Sequence, residues 1–306
     1  RSIAYIETQE ELDELAFGPT HTSLYDVVYN IVGRGRVKEA EVIRCKNGAL
    51  VNFMEDYMRR RDPNSMVISD DLPTDKTRFK DRFGYDFSSL RKETMDWFST
   101  QRVIMLPFKA GDLEHGYDSL MVCPANAAFF ALALANMQGF VSVMDIPDNY
   151  TPRSIIYVAP PFRHTHFDGK QIVVHNRTKA LHEVFAYNLY PGPSAKKGVY
   201  SVLLDIGEQE GWVCCHASAA LVETPYENEI VFMHEGASGG GKSEMLEDFH
   251  REDDSRLLLG AHTTTGEKYY LNLGESCTIY PISDDMALAH KGYQDPEGGK
   301  LMIVDA

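Results

Sequence analysis

The segment Gly236-Ala237-Ser238-Gly239-Gly240-Gly241-Lys242-Ser243 constrains this chain more than any other. It fits G-x-x-x-x-G-K-[ST], a pattern that works only between a buried strand and a helix, with backbone amides turned around phosphate oxygens. The run before it, Glu229-Ile-Val-Phe-Met-His234, has the apolar content of a buried strand, and Glu244–Phe249 can open a helix. The glycines allow the backbone to turn its N–H groups inward, and a helix N-terminus adds partial positive charge. In such a loop Lys242 reaches the β- and γ-phosphates, and the Ser243 hydroxyl ligates Mg²⁺. A strand–loop–helix unit that binds a nucleotide is therefore expected.

A phosphate loop needs an acidic partner for its metal. Ser283-Asp284-Asp285 follows the apolar run Thr278–Ile282, so both carboxylates emerge at the end of an expected strand. Two further features stand out less by themselves. His216 lies within the apolar stretch Trp212-Val-Cys-Cys-His-Ala-Ser218, where a satisfied core histidine is the plain reading. Lys196-Lys197 precedes Val199–Leu204, read as a strand, and a surface lysine pair is the plain reading there.

The charge balance narrows the partners. With 45 acidic against 30 basic residues the 306-residue chain carries a formal charge of −15, which repels nucleic acid and anionic membrane. A small anion held by a few local cations remains compatible. The 5 cysteines form no C-x-x-C pair, the usage of a reduced intracellular protein, and Cys214-Cys215 read as small apolar residues in a strand. No apolar run approaches the roughly 20 residues of a membrane span, and Arg1-Ser2-Ile3 opens no signal-peptide pattern. A cytoplasmic location is expected.

Along the chain, Leu24–Val32, Ala49–Arg60 and Ala127–Gln138 have helix-like spacing, whereas Met66–Ser69 and Arg102–Phe108 have strand patterns. After about residue 150 come short strand-like runs: Ser154–Val158, Gln171–His175, Val199–Leu204, Glu229–His234, Tyr269–Leu273 and Thr278–Ile282. The change of texture around Pro147-Asp148-Asn149 places a domain boundary near 150. The expectation is thus an α/β (mixed α+β) protein, with an α/β domain over 1–150 and a mixed-sheet phosphate-loop domain over 151–306. Leu301–Val304 has the pattern of a strand still under way, so a piece of a longer protein is expected.

Four motifs together resemble phosphoenolpyruvate carboxykinase. Tyr190-Pro-Gly-Pro-Ser-Ala-Lys196-Lys197-Gly-Val-Tyr is similar to that family's tyrosine, glycine and lysine-pair segment, and Glu210-Gly-Trp-Val-Cys-Cys-His216-Ala-Ser-Ala to its metal-histidine segment. The phosphate loop and Ser283-Asp284-Asp285 follow in the family's order. Gln101–Gly111 resembles a strand of the GTP-dependent branch, and Arg61 falls where the family has a substrate-binding arginine. The resemblance implies a catalytic Mn²⁺ held by Lys197, His216 and Asp285. It further implies nucleotide phosphates and Mg²⁺ at Lys242 and Ser243, catalytic roles for Lys197, Lys242, Asp284 and Arg61, and a carboxylate substrate at Arg61, Tyr190 and Lys196. A lysine ligand must be neutral although its free pKa is about 10.4, and a neighbouring cation together with a metal favours loss of that proton. The implied partners are ATP or GTP and a small carboxylate.

Departures from that pattern define the alternatives. Pro191 and Pro193 interrupt the glycines, and Ser243 stands where carboxykinases have threonine. Gly236-Ala-Ser-Gly-Gly-Gly-Lys-Ser-Glu244 is also similar to the loop of HPr kinase/phosphorylase. A kinase of another acceptor, or a nucleotide-binding relative without turnover, are the competing expectations.

Overall fold

Alternation of buried and exposed side chains decides most of the elements in the computed structural model, which describes residues 3–17, 24–46, 48–56, 64–247, 251–254 and 256–306. The strands and helices through residue 137 are β1 (Ile3–Tyr5), α1 (Gln9–Ala16), β2 (Leu24–Ile31), β3 (Gly35–Cys45), β4 (Gly48–Phe53), β5 (Met66–Ile68), α2 (Phe79–Phe83), α3 (Phe87–Phe98), β6 (Val103–Ala110), β7 (Tyr117–Pro124) and α4 (Ala128–Met137). There follow β8 (Gly139–Phe140), β9 (Ser154–Val158), α5 (Phe162–His166), β10 (Ile172–Arg177), β11 (His182–Tyr187) and α6 (Lys197–Glu210). The remainder is β12 (Val213–Cys215), β13 (Ala217–Glu223), β14 (Glu229–Glu235), β15 (Leu257–Ala261), β16 (Lys268–Leu271), β17 (Thr278–Ser283), β18 (Ala287–Ala289) and β19 (Val304–Asp305). The protein is mixed α+β. Among the described residues no helix is long and apolar enough to cross a membrane.

Two compact units divide the chain at Asp205/Ile206. The first is built on an eight-stranded mixed sheet in the order β1-β6-β7-β9-β11-β10-β5, with β8 added to β6. Because β9 lies parallel between β7 and β11, the sheet draws strands from both sides of residue 150. The expected boundary at 150 is therefore not where the units divide. The change of texture there marks a change of local element type, whereas a unit is set by which strands share hydrogen bonds.

Helices cover both faces of this sheet. Successive residues of β11 point to opposite faces. Phe185 and Tyr187 join an aromatic core with Phe79, Phe87, Phe162 and Phe167 from α2, α3, α5 and the residue after α5. On the other face Val184 approaches Gly198 of α6, and His182 meets Asp205 of the same helix. Burying one such phenylalanine side chain contributes about 1.5–3 kcal/mol.

A buried charge cluster ties β3 to α5. Arg163 donates from Nε (3.0 Å) and Nη2 (2.6 Å) to Glu39 Oε2, and His164 Nε2 meets the other Glu39 oxygen. All three residues are buried, and the Arg163–Glu39 ion pair compensates both of its charges where water cannot reach them.

Several sequence expectations are corrected. Leu24–Val32 and Ala49–Arg60 are not helices: Leu24–Ile31 and Gly48–Phe53 are strands flanking β3 in a three-stranded antiparallel sheet. Val27, Tyr29 and Ile31 are buried at every second position, and these β-branched and aromatic residues favour a pleated surface. Residues 57–60 of the second run lie outside the described residues. Val199–Leu204 is not a strand but lies in α6, where Val199, Val202, Leu203 and Ile206 form a buried stripe at helical spacing.

The second unit contains two three-stranded sheets, β14-β13-β17 and β12-β18-β19, and the hairpin β15-β16. β14 forms where expected, but it is an edge strand rather than a buried one: Ile230, Val231, Phe232 and Met233 are 42–53% exposed. With β13 on one side only, its apolar side chains lack covering layers among the described residues. Cys214 is buried and Cys215 half-buried in β12, and all 5 cysteines are free thiols.

Candidate functional site

The strand order β14-β13-β17 dictates what meets at one end of that sheet. Both β14 and β17 run antiparallel to β13, with Ala217 opposite Glu235 and Ala219 opposite Ser283. The outer strands are therefore parallel to each other and finish where β13 begins. Three segments emerge there: His216 just before β13, Gly236–Ser243 after β14, and Asp284-Asp285 after β17. Small buried residues at the start of β13, Ala217 to Ala220, leave room for the short 3₁₀ turn Ser243–Leu246 to pack on β13 and β17.

The loop is pinned at several points. Gly239 (φ +81°) and Gly241 (φ +86°) take left-handed conformations that only glycine adopts cheaply. Gly240 N donates to Ala237 O (3.1 Å), and Gly236 N donates to the carbonyl of His216 (3.4 Å). Ser218 Oγ donates to Lys242 O (2.7 Å), which fastens the loop to β13. Lys242 is buried and its Nζ donates to Ala237 O (3.2 Å), so the ammonium sits within the ring of the loop.

Two side-chain pairs complete the arrangement. Ser243 Oγ donates to Asp284 Oδ1 at 2.8 Å. His216 Nε2 lies 2.9 Å from Asp285 Oδ1, and an ionised carboxylate only accepts, so this nitrogen carries the proton. Asp285 adopts φ +71°, uncommon outside glycine, asparagine and aspartate, and its carboxylate meets the imidazole in that conformation. Asp284 N also donates to Asp305 Oδ1 at 3.1 Å. Burial raises the Asp305 carboxyl above the usual carboxylate range, against the opposing effect of that amide.

The helix expected over Glu244–Phe249 is corrected, as far as residue 247, to the 3₁₀ turn Ser243–Leu246 followed by an extended Glu247; residues 248 and 249 lie outside the described residues. Only Leu246 of this turn is buried while Met245 is 54% exposed, so the turn itself presents no apolar stripe.

The other predicted residues lie in the first unit. Tyr190 packs edge-on against Phe53 at 5.6 Å between ring centroids, and its amide donates to Asn188 Oδ1. Lys196 ends a π-helical turn, Gly192–Lys196, and Lys197 opens α6 with its Nζ 5.5 Å from the Tyr200 ring. The lysine pair therefore stands at a turn–helix junction and not before a strand. Arg61 lies outside the described residues. Among the described residues no group of three or more His, Cys, Asp and Glu side chains gathers as a metal site.

Ser218 and Asp305 belong to this arrangement and escaped the sequence reading. Ser218 had a partial signal: in the strand-like run Trp212–Ser218, alternation expects it on the side of His216 two residues earlier, although His216 is a bend between β12 and β13. Asp305 had none, because only the β18–β19 pairing brings it near.

The fold and this cluster define a mixed α+β protein whose glycine-rich loop, serine–aspartate pair and histidine–aspartate pair share one end of an antiparallel sheet. The chain belongs to the family described as domain of unknown function (DUF4914), whose model matches residues 1–306. A search of curated proteins found no match to the chain.

Proposed function

We propose that this protein is a metal-dependent phosphotransferase that binds a nucleoside triphosphate at Gly236–Ser243, and that its reaction is of the carboxykinase type. The observation that carries the reading is the Ser243–Asp284 hydrogen bond beside a buried Lys242, the pairing a nucleotide-bound Mg²⁺ requires of its serine and acidic partners. Lys242 and the loop amides would bind and orient the β- and γ-phosphates, with no covalent role. Ser243 and Asp284 would hold Mg²⁺, and His216 with Asp285 would contribute to an Mn²⁺ site. Hydroxyl, carboxylate and imidazole donors suit these ions. The metals supply Lewis-acid polarisation of phosphoryl and carbonyl oxygens.

The acceptor rests on the sequence resemblance. Oxaloacetate plus ATP or GTP gives phosphoenolpyruvate, CO₂ and the diphosphate, with Arg61, Tyr190 and Lys196 contacting the carboxylates. The test is Mn²⁺-dependent formation of phosphoenolpyruvate from oxaloacetate with either nucleotide, alongside nucleotide titration of Lys242→Ala. Product formation and a loss of nucleotide affinity of about a hundredfold are expected. A Lys242→Ala protein that binds nucleotide as tightly as the parent overturns the reading.

The Gly-Lys-Ser-Glu spelling at Gly241–Glu244 favours a second reading, a kinase of a protein or another small molecule. Label passing from γ-labelled ATP to an acceptor other than oxaloacetate selects it. Nucleotide binding with no product selects a relative without turnover.

A further inference from the structure

One cavity of the first unit takes no part in the reading above. It has a volume of about 540 Å³, within the range of small-molecule sites. Four regular elements line it, β3 by its last residues Arg44 and Cys45. Ala49, Val51 and Phe53 are the every-second-residue face of β4. Phe129, Leu132, Ala133 and Asn136 are one helical face of α4. Gln9 and Asp13 are successive turns of α1, whose start is fixed by Thr8 accepting from Glu11 N (3.1 Å). The Phe53 and Phe129 rings stand 6.4 Å apart at 58° and give the floor its apolar character.

The mouth has the opposite chemistry. Arg44 holds its guanidinium 4.2 Å from the Phe17 ring, and Lys46 follows two residues on. Among the described residues neither cation makes a salt bridge, in a chain whose acidic residues outnumber its basic ones 45 to 30. Among the described residues of the lining Asp13 is the only carboxylate. Gln9 Nε2 donates to Asn136 Oδ1 at 2.6 Å across the helix pair, which leaves the Gln9 carbonyl and the Asn136 amide to meet a polar group.

We infer that this cavity binds a small organic anion with a flat apolar body, an aryl carboxylate, its ring against Phe53, Phe129 and Leu132 and its charge at Arg44 and Lys46. The apolar floor supplies affinity by burial. A carboxylate matches the planar donor fork of arginine, and the stack on Phe17 limits the rotamer freedom lost on binding.

Titration of the whole protein by calorimetry with 1-naphthoate, and with 1-naphthalenemethanol as the neutral counterpart, tests this. Saturable binding of naphthoate is expected, with the alcohol weaker by about tenfold or more. The double substitution Arg44→Ala/Lys46→Ala at the exposed mouth is expected to erase that preference, and Ala133→Trp to abolish both by filling the floor. Lys242→Ala is expected to leave naphthoate binding unchanged, which separates this site from the nucleotide loop. Should Ala133→Trp fail to fold by circular dichroism, the double variant decides alone. Absence of naphthoate binding at millimolar concentration, equal binding of alcohol and acid, or an undiminished preference in the double variant overturns the assignment.

Discussion

Ser218 is a modest residue with two attachments: its backbone belongs to β13 and its hydroxyl holds the Lys242 carbonyl. Replacing it by alanine removes the shorter of two bonds to that carbonyl, which keeps the Met245 amide at 3.2 Å, at a cost of about 1 kcal/mol. Ser218→Ala is therefore expected to lower the denaturant midpoint modestly and to weaken nucleotide binding severalfold, because the loop is less fixed before binding. Unchanged nucleotide affinity together with the stability loss would confine Ser218 to a packing role. At this scale the glycine-rich loop and Asp284-Asp285 were legible in the sequence, since their chemistry is local and their spelling restrictive. The contacts Ser243–Asp284 and His216–Asp285 join residues far apart in the chain, and only the order β14-β13-β17 brings them together.

Strands β10 and β11 carry a polar chain that no local pattern announces. Asp205 of α6 lies 3.1 Å from His182 Nδ1, and His182 Nε2 lies 2.8 Å from His175 Nδ1. With Asp205 ionised, His182 donates to it and accepts from His175, whose buried Nε2 has no hydrogen-bond partner among the described residues. Burial, followed by the neighbouring His182 and Arg177, pushes the His175 pKa well below its ordinary 6.5. As pH falls below about 6.5 the unfolded chain takes up a proton that the folded chain refuses, so stability falls. Urea unfolding at pH 7.5, 6.5 and 5.5 is expected to show the parent losing up to about 1.4 kcal/mol per pH unit more than His175→Phe below pH 6.5. Parallel pH profiles would contradict this. The same scale shows why some elements were readable: Ser154–Val158 is a strand to the residue because alternation and flanking turns agree. Leu24–Ile31 and Val199–Leu204 were exchanged between helix and strand because each run is apolar enough to fit both periods. In each case the buried stripe, visible only in three dimensions, decides.

The molecule as a whole carries a charge of −15, and a nucleoside triphosphate is itself an anion. The screening length shrinks from about 30 Å at 0.01 M salt to about 8 Å at 0.15 M. Stopped-flow association of a fluorescent triphosphate is therefore expected to speed up as salt rises over this range, opposite to an electrostatically steered encounter. A rate falling with salt would show that a local positive field at the loop outweighs the global charge. The division at Asp205/Ile206 was not legible, because hydrogen-bonded sheets rather than composition define the units. One feature of the second unit also has a practical side. The loop Gly236–Ser243 leaves β14 at the end where β13 begins, and the connection Thr224–Asn228 lies at the other end of that hairpin. There Thr224 N donates to Asn228 O (2.9 Å) and Glu227 takes φ +60°. The length of the hairpin thus insulates the loop from that bend, which makes the bend the natural anchor for a dye or affinity tag.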